Sequence, residues 1–185
     1  MKQNPLYSKK ILLGVTGSIA AYKSCEIVRR LKKKGAEVRV IMTRNATRFV
    51  GPLTLKTLSQ NRVMEEMFER REEWAPEHVS AADWADALLV APATANIIGK
   101  ARSGIADDLL SSIVLSARCP VVFAPAMNER MYENPILQEN IEALKRIGCF
   151  FIGPEEGFLA EGYEGKGRLA DSEQIVDFIS SVLGV

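Results

Sequence analysis

Short apolar runs and amphipathic stretches take turns along this chain. Lys10-Ile11-Leu12-Leu13-Gly14-Val15 is almost wholly apolar and stops at Thr16-Gly17-Ser18, which predicts a strand ending in a turn. From Ile19 to Lys34 the apolar residues Ala20, Ile27, Val28 and Leu31 fall at helical spacing. The basic end of that segment suits the negative pole of a helix. Gly35 is a stop signal, and Ala36 to Met42 alternates as a second strand. A crossover of this length between two strands implies parallel pairing.

The pattern recurs. Asp86 to Ala91 reads as a buried strand, followed by a helix from about Thr94 and another from Asp107 to Ala117. Pro120 to Ala124 reads as a strand, Asn134 to Ile147 as a helix, Cys149 to Ile152 as a strand and Glu173 to Leu183 as the last helix. Alternating βα units predict an α/β, Rossmann-like three-layer fold: a doubly wound parallel sheet with helices on both faces. Two segments carry no clear period. One is Asn61 to Pro76; the other is Glu156 to Asp171, with four glycines among six charged side chains. The second reads either as a solvated loop or as a flap over something charged.

At 185 residues the chain fits one domain spanning 1–185, long enough for a full core. Lys and Arg number 24 against 23 Asp and Glu, so no charge excess points to nucleic acid or a membrane surface. The apolar runs are too short to span a bilayer. The start, Met1-Lys2-Gln3-Asn4-Pro5, has no apolar signal core, which predicts a cytoplasmic protein. Cys25, Cys119 and Cys149 have no metal-like spacing and read as buried reduced thiols.

In a doubly wound sheet, ligands sit at the carboxyl ends of the strands. After the first strand comes Thr16-Gly17-Ser18-Ile19-Ala20, which serves equally as a capped turn or as a phosphate site at a helix N-terminus. It is not a GxGxxG fingerprint, and Thr43 stands where a dinucleotide fold would place an acid. Pro92-Ala93-Thr94-Ala95-Asn96 and Pro125-Ala126-Met127-Asn128 follow two later strands. Each pairs small residues, which admit a flat ring, with an asparagine that both donates and accepts. Either alone reads as a helix cap; both at neighbouring strand ends point to a site. His78, the one histidine, precedes a short helix and is a near-neutral proton carrier.

Together, Gly14-Val15-Thr16-Gly17-Ser18-Ile19-Ala20-Ala21-Tyr22-Lys23, His78, Pro92 to Asn96, Gly104-Ile105-Ala106-Asp107-Asp108-Leu109-Leu110 and Pro125 to Met131 resemble the flavin-dependent cysteine decarboxylases. The resemblance runs from about Lys10 to Leu183 and is nearest the phosphopantothenoylcysteine decarboxylases of coenzyme A biosynthesis. It implies bound FMN and homotrimers, or dodecamers built from trimers, with active sites between subunits. It implies that Gly17, Ser18, Ile19, Thr43, Pro92, Ala93, Thr94, Ala95 and Asn96 hold FMN. It makes His78 the base and Asn128 the holder of the substrate carboxylate, with Met131 also among the substrate-binding residues. Residues 156–171 become the substrate flap, with Lys166 and Arg168 offered to anionic groups.

The implied reaction oxidises a cysteine side chain at the flavin, decarboxylates it, and in the coenzyme A branch returns the hydride with a proton. One position departs from that branch. Its flap commonly reads Leu-Ala-Cys-Gly, and here it is Leu159-Ala160-Glu161-Gly162. Glu161 supplies the last proton, another group does, or the product stays oxidised; complete turnover with Glu161 as donor is the expectation. The chain ends near Val185, which leads us to expect no fused synthetase half. Two rivals are a peptidyl-cysteine decarboxylase and a non-catalytic FMN-binding regulator.

Overall fold

A computed structural model describes residues 4–67, 77–160 and 162–185. The strands are β1 (Lys10–Val15), β2 (Glu37–Met42), β3 (Val63–Met64), β4 (Ala87–Ala93), β5 (Val121–Pro125) and β6 (Phe150–Phe151). Among the described residues these six form one parallel sheet in the order β3-β2-β1-β4-β5-β6. This is the doubly wound Rossmann order, and it reverses direction between β1 and β4. A crevice at the carboxyl ends of those two strands follows from that reversal.

The helices are α1 (Ser24–Lys33), α2 (Pro52–Ser59), α3 (Glu77–Trp84), α4 (Ala95–Ser103), α5 (Leu109–Ser116), α6 (Glu129–Tyr132), α7 (Pro135–Arg146) and α8 (Ser172–Val182). Strand alternation distributes the core. Ile11, Leu13 and Val15 of β1 pack with Ile27, Leu31, Leu55, Ile175 and Ile179 from α1, α2 and α8. On the other face Leu12, Leu88, Val90 and Phe123 pack with Ile97, Leu110, Ile113, Leu137 and Ile141 from α4, α5 and α7. β4 is buried along its whole length, as a central parallel strand covered on both faces must be.

Several elements differ from expectation. The helix predicted over Ile19 to Lys34 is a 3₁₀ turn, Ile19–Lys23, followed by α1. The Ser18 hydroxyl accepts the Ala20 N–H and draws the first turn tight. Gly35, at φ +90°, ends the helix as expected. α2 and β3 carry too short a period to be read in advance. His78 lies inside α3 rather than ahead of it. The three cysteines are half-buried thiols, since each sits at an element end rather than in a strand centre.

The largest difference is the stretch 156–171. It holds an antiparallel hairpin of β7 (Glu155–Phe158) and β8 (Glu164–Arg168). Backbone pairing joins its two strands. Its alternating positions are glycines and charged side chains, so no hydrophobic period marks it in the sequence.

The Gly104 to Asp108 motif is a clasp between α4 and α5. Asp108 caps α5 by accepting the Ser111 N–H at 2.8 Å, while the Ser111 hydroxyl accepts the Asp108 N–H at 3.1 Å. Lys100 of α4 pairs with Asp107 at 2.6 Å and Asp108 at 2.7 Å. Burial pushes the Asp108 carboxyl up, but the hydrogen bonds from Lys100 and Ser111 together hold it below the ordinary range. A depressed carboxyl stabilises the fold above its unfolded pKa and loses that contribution as pH falls through its folded one. Asp108→Ala is therefore expected to cost about 1–2 kcal/mol at neutral pH. In urea denaturation the gap from wild type should shrink only below about pH 4, the unfolded value of Asp.

Candidate functional site

Where parallel strands end, their last backbone groups need new partners. Here a few side chains tie the loops after β1, β4 and β5 together. The buried Thr16 hydroxyl donates to the Pro92 carbonyl at 2.7 Å and accepts the Thr94 N–H at 3.2 Å. The Ser24 hydroxyl donates to the Ala91 carbonyl at 2.8 Å. The Ala126 N–H donates to the Ala93 carbonyl at 3.1 Å. The Ser18 hydroxyl donates to the Ala126 carbonyl at 3.3 Å.

These ties form the floor of a cavity of about 700 Å³ at the switch point, within the usual range for cofactor and small-molecule sites. Small residues line much of it: Gly17, Ala20, Ala95 and Ala126. Ser18 lines it too, as does Thr94, whose side chain does not cap its own helix. Among the described lining residues the charged ones are Lys23 and Arg168, both cations. Burial lowers the Lys23 pKa, and the Arg168 guanidinium lowers it further. An anion beside them would offset the repulsion and favour the charged form of Lys23.

The hairpin roofs the cavity with Phe158, Leu159, Ala160, Gly167, Arg168 and Leu169. It is fastened to the loop after β5. The Met127 N–H donates to the Gly167 carbonyl at 3.0 Å. A Cβ at position 167 would come within 2.1 Å of the Met127 carbonyl oxygen, so only glycine admits this approach. Asn128 caps α6, its Oδ1 accepting the Arg130 N–H at 2.9 Å. That fixes the amide so that Nδ2 donates to the Tyr163 hydroxyl of the hairpin at 3.3 Å.

Of the residues singled out in the sequence, Gly17, Ser18, Ile19, Thr94, Ala95, Asn128, Met131 and Arg168 line this one cavity. Pro92 and Ala93 lie buried beneath it at the end of β4. Thr43 closes β2, its N–H donating to the Val15 carbonyl at 3.0 Å, and is not part of the lining. Asn96 is exposed in the first turn of α4. Lys166 is exposed, its ammonium 5.6 Å from the centre of the Tyr132 ring. His78 is half-buried on α3, which packs against α5, and does not line the cavity. Glu161 lies outside the described residues. Among the described residues no group of three or more His, Cys, Asp or Glu could hold a metal ion.

Sequence reasoning missed Tyr22, Lys23, Phe158 and the acid Glu129. The first two end the Gly14 to Lys23 motif, and a helical register would have turned them away from the strand ends. The tight 3₁₀ turn brings both to the cavity wall.

The chain matches the family described as Flavoprotein over residues 2–184. The coenzyme A biosynthesis bifunctional protein CoaBC of Bacillus subtilis is 50% identical over 171 residues, 92% of this chain and 42% of the relative. The Haemophilus influenzae protein of that name is 45% identical over 175 residues, 95% of this chain and 44% of the relative. The chain thus spans less than half the length of these curated relatives. Among solved structures, a PPC decarboxylase mutant complexed with pantothenoylaminoethenethiol superposes with a TM-score of 0.86 at 28% identity, covering 96% of this chain and all of that one. The FMN-dependent cysteine decarboxylase SpaF superposes with a TM-score of 0.85 at 33% identity, covering 96% of this chain and 97% of that one.

The Thr16 tie can be cut without changing shape. Thr16→Val leaves the Pro92 carbonyl and Thr94 N–H without their buried partner, and is expected to cost about 1–3 kcal/mol in chemical denaturation. Thr16→Ser keeps the hydroxyl and removes one methyl, for a loss of about 0.8 kcal/mol. Equal losses in the two variants would mean that the tie contributes nothing.

Proposed function

The chain belongs to the flavoprotein family, and from that premise we propose that it binds FMN and decarboxylates 4'-phosphopantothenoylcysteine to 4'-phosphopantetheine in coenzyme A biosynthesis. One observation carries this reading: a cavity at the switch point whose described charged walls are both cations, floored by small residues and roofed by a hairpin. The substrate is an anion at both ends, with a phosphate and a carboxylate. The relatives named for coenzyme A biosynthesis match this chain at 45–50% identity over nearly its whole length. The structural neighbour in complex with an aminoethenethiol supports the same chemistry.

The residues present fit the cofactor. Gly17 and Ala95 leave room for a flat ring, and the hydroxyl-bearing Ser18 and Thr94 line the same space. Ile19, Thr43, Pro92, Ala93 and Asn96 would complete the binding segments. When bound, FMN supplies the two-electron acceptor without which a saturated carboxylate would leave an unstabilised carbanion. The chain does the rest. Asn128 Nδ2, held by its cap, donates to the substrate carboxylate, and Met131 packs beside it. Lys23 and Arg168 neutralise anionic charge in a partly desolvated space, and Lys166 adds to the field at the rim. His78 takes the proton released on oxidation of the substrate. The closed hairpin excludes water, and Glu161 returns the final proton.

Asn128 lines the cavity and His78 does not, so a shared role for the two is best served by a site built from two copies. The homotrimer, alone or assembled into a dodecamer, with each site between subunits, is the assembly that the family resemblance implies, and we adopt it here. Ile19, Tyr22 and Phe158 are exposed around the cavity mouth, as apolar residues at an interface or ligand site are. The half-buried free thiols suit a cytoplasmic location, and among the described residues no helix is long and apolar enough to cross a membrane. A second reading, a peptidyl-cysteine decarboxylase, draws on Glu161 standing where the coenzyme A branch commonly carries the flap cysteine.

Two measurements test this. Incubated with phosphopantothenoylcysteine, yellow protein should release 4'-phosphopantetheine; a product two hydrogens lighter favours the second reading, and a colourless protein that cannot take up FMN ends both. His78→Asn and Asn128→Asp should each lose about 10²–10⁴-fold in turnover while keeping flavin. Co-expressed in equal amounts, the two inactive variants should recover about a quarter of wild-type activity, because half the chains carry each intact residue in a symmetric oligomer. No recovery would put both residues in one chain or remove His78 from the site.

A further inference from the structure

We propose that Glu129 is the latch of the hairpin: a positioning residue that sets how firmly the roof closes over the cavity. The proposal rests on reading the hairpin as the substrate flap. Glu129 opens α6 directly after Asn128, and its Oε1 accepts the Lys166 N–H of β8 at 2.8 Å. The carboxylate sits over Gly165, where an added Cβ would lie 2.8 Å from its carbon and both oxygens. Glycine at 165 therefore makes the seat for the acid. The neighbouring strand contact, Met127 N–H to the Gly167 carbonyl at 3.0 Å, is purely backbone. The Asn128 to Tyr163 contact, at 3.3 Å, is longer and joins two neutral groups. The Glu129 bond is the charge-assisted one of the three, and such bonds are the stronger class.

This latch differs from ordinary hairpin packing because it is reversible. The hairpin leaves Phe158 69% exposed and Glu156, Gly162, Tyr163, Glu164, Lys166 and Arg168 exposed too; Leu159 is the large apolar side chain it buries, with Leu169 anchoring the chain just past β8, so limited apolar area holds it down. A few polar contacts set the balance between open and closed. Glu129 makes the strongest of them from the same short helix start that presents Asn128. Entry of a substrate and its retention would then both answer to one carboxylate outside the cavity wall.

The test uses the FMN-loaded protein and reads trypsin cleavage after Lys166 and Arg168 by mass spectrometry, beside KM and kcat for phosphopantothenoylcysteine. Glu129→Ala should speed cleavage and raise KM about ten-fold or more, the size expected for a lost hydrogen bond to a charged group. Flavin content and thermal midpoint should stay near wild type. Glu129→Gln keeps an acceptor oxygen and should fall between wild type and Glu129→Ala. Gly165→Ala pushes the carboxylate from its seat and should mimic Glu129→Ala. In the Glu129→Ala background the carboxylate that the added methyl meets first is gone, and the second substitution should have little further effect. Wild-type cleavage and KM in Glu129→Ala overturn the latch. So does a Gly165→Ala effect that adds in full, or a rise in KM matched by loss of flavin and stability. Protection of the same bonds by substrate in the wild type reads the lid separately. If substrate gives no protection, the flap reading falls, and the comparison among variants still decides the latch.

Discussion

The Thr16 hydroxyl is the interaction on which the site depends. Parallel strands β1 and β4 diverge at their carboxyl ends, and the crevice between them would expose the Pro92 carbonyl and the Thr94 N–H with no ladder partner. One buried side chain meets both. Because unpaired buried polar groups are costly, the crevice can stay open only if such a tie exists. The tie also fixes spacing. It sets Gly17 and Ser18 beside Thr94 and Ala95, and the Ala126 to Ala93 bond brings the third loop to the same rim. The floor is thus a continuous hydrogen-bonded rim on the sheet, a preorganised surface built on rigid elements.

Charge then selects what enters. A cavity with two cations and, among its described lining residues, no carboxylate is unfavourable until an anion arrives. Lys23 feels this twice, through burial and through Arg168. Acidic groups farther out, Glu155, Asp171 and Glu26, offset part of that cost without entering the lining. The fold therefore tolerates the two cations while leaving them available.

Much of this was legible in the sequence, and the limits have physical causes. β1, β2, β4, β5, α1, α7 and α8 are written as apolar periods because each buries a face, so the doubly wound sheet could be read directly. The loops after β1, β4 and β5 could be found because ligand sites in such sheets lie at strand ends, and Gly17, Ser18, Thr94, Ala95, Asn128 and Met131 do line one cavity. The hairpin could not be found by period, since Gly157, Gly165 and Gly167 leave no apolar face to detect. Lys23 was hidden because the turn from Ile19 is 3₁₀, which changes the direction of every later side chain in it. His78 could be named from a motif but not located, because α3 carries too weak an apolar period to place it, and the structure puts it outside the cavity lining.

Floor and roof share one segment, Ala126 to Glu129. Its first residue is bonded to β4 through Ala93 and to the β1 loop through Ser18. Its last three carry the hairpin, through the Met127 amide, the Asn128 side chain and the Glu129 carboxylate. A ligand that settles on the floor therefore stiffens the platform on which the roof closes. The reverse does not hold to the same degree, because the floor ties through Thr16 and Ser24 are made without the hairpin. An order of events follows from that asymmetry. The group held by the floor can bind to a chain whose roof is open, whereas a group held by the roof needs the floor already formed. Cofactor first and substrate second is the sequence that this connectivity favours.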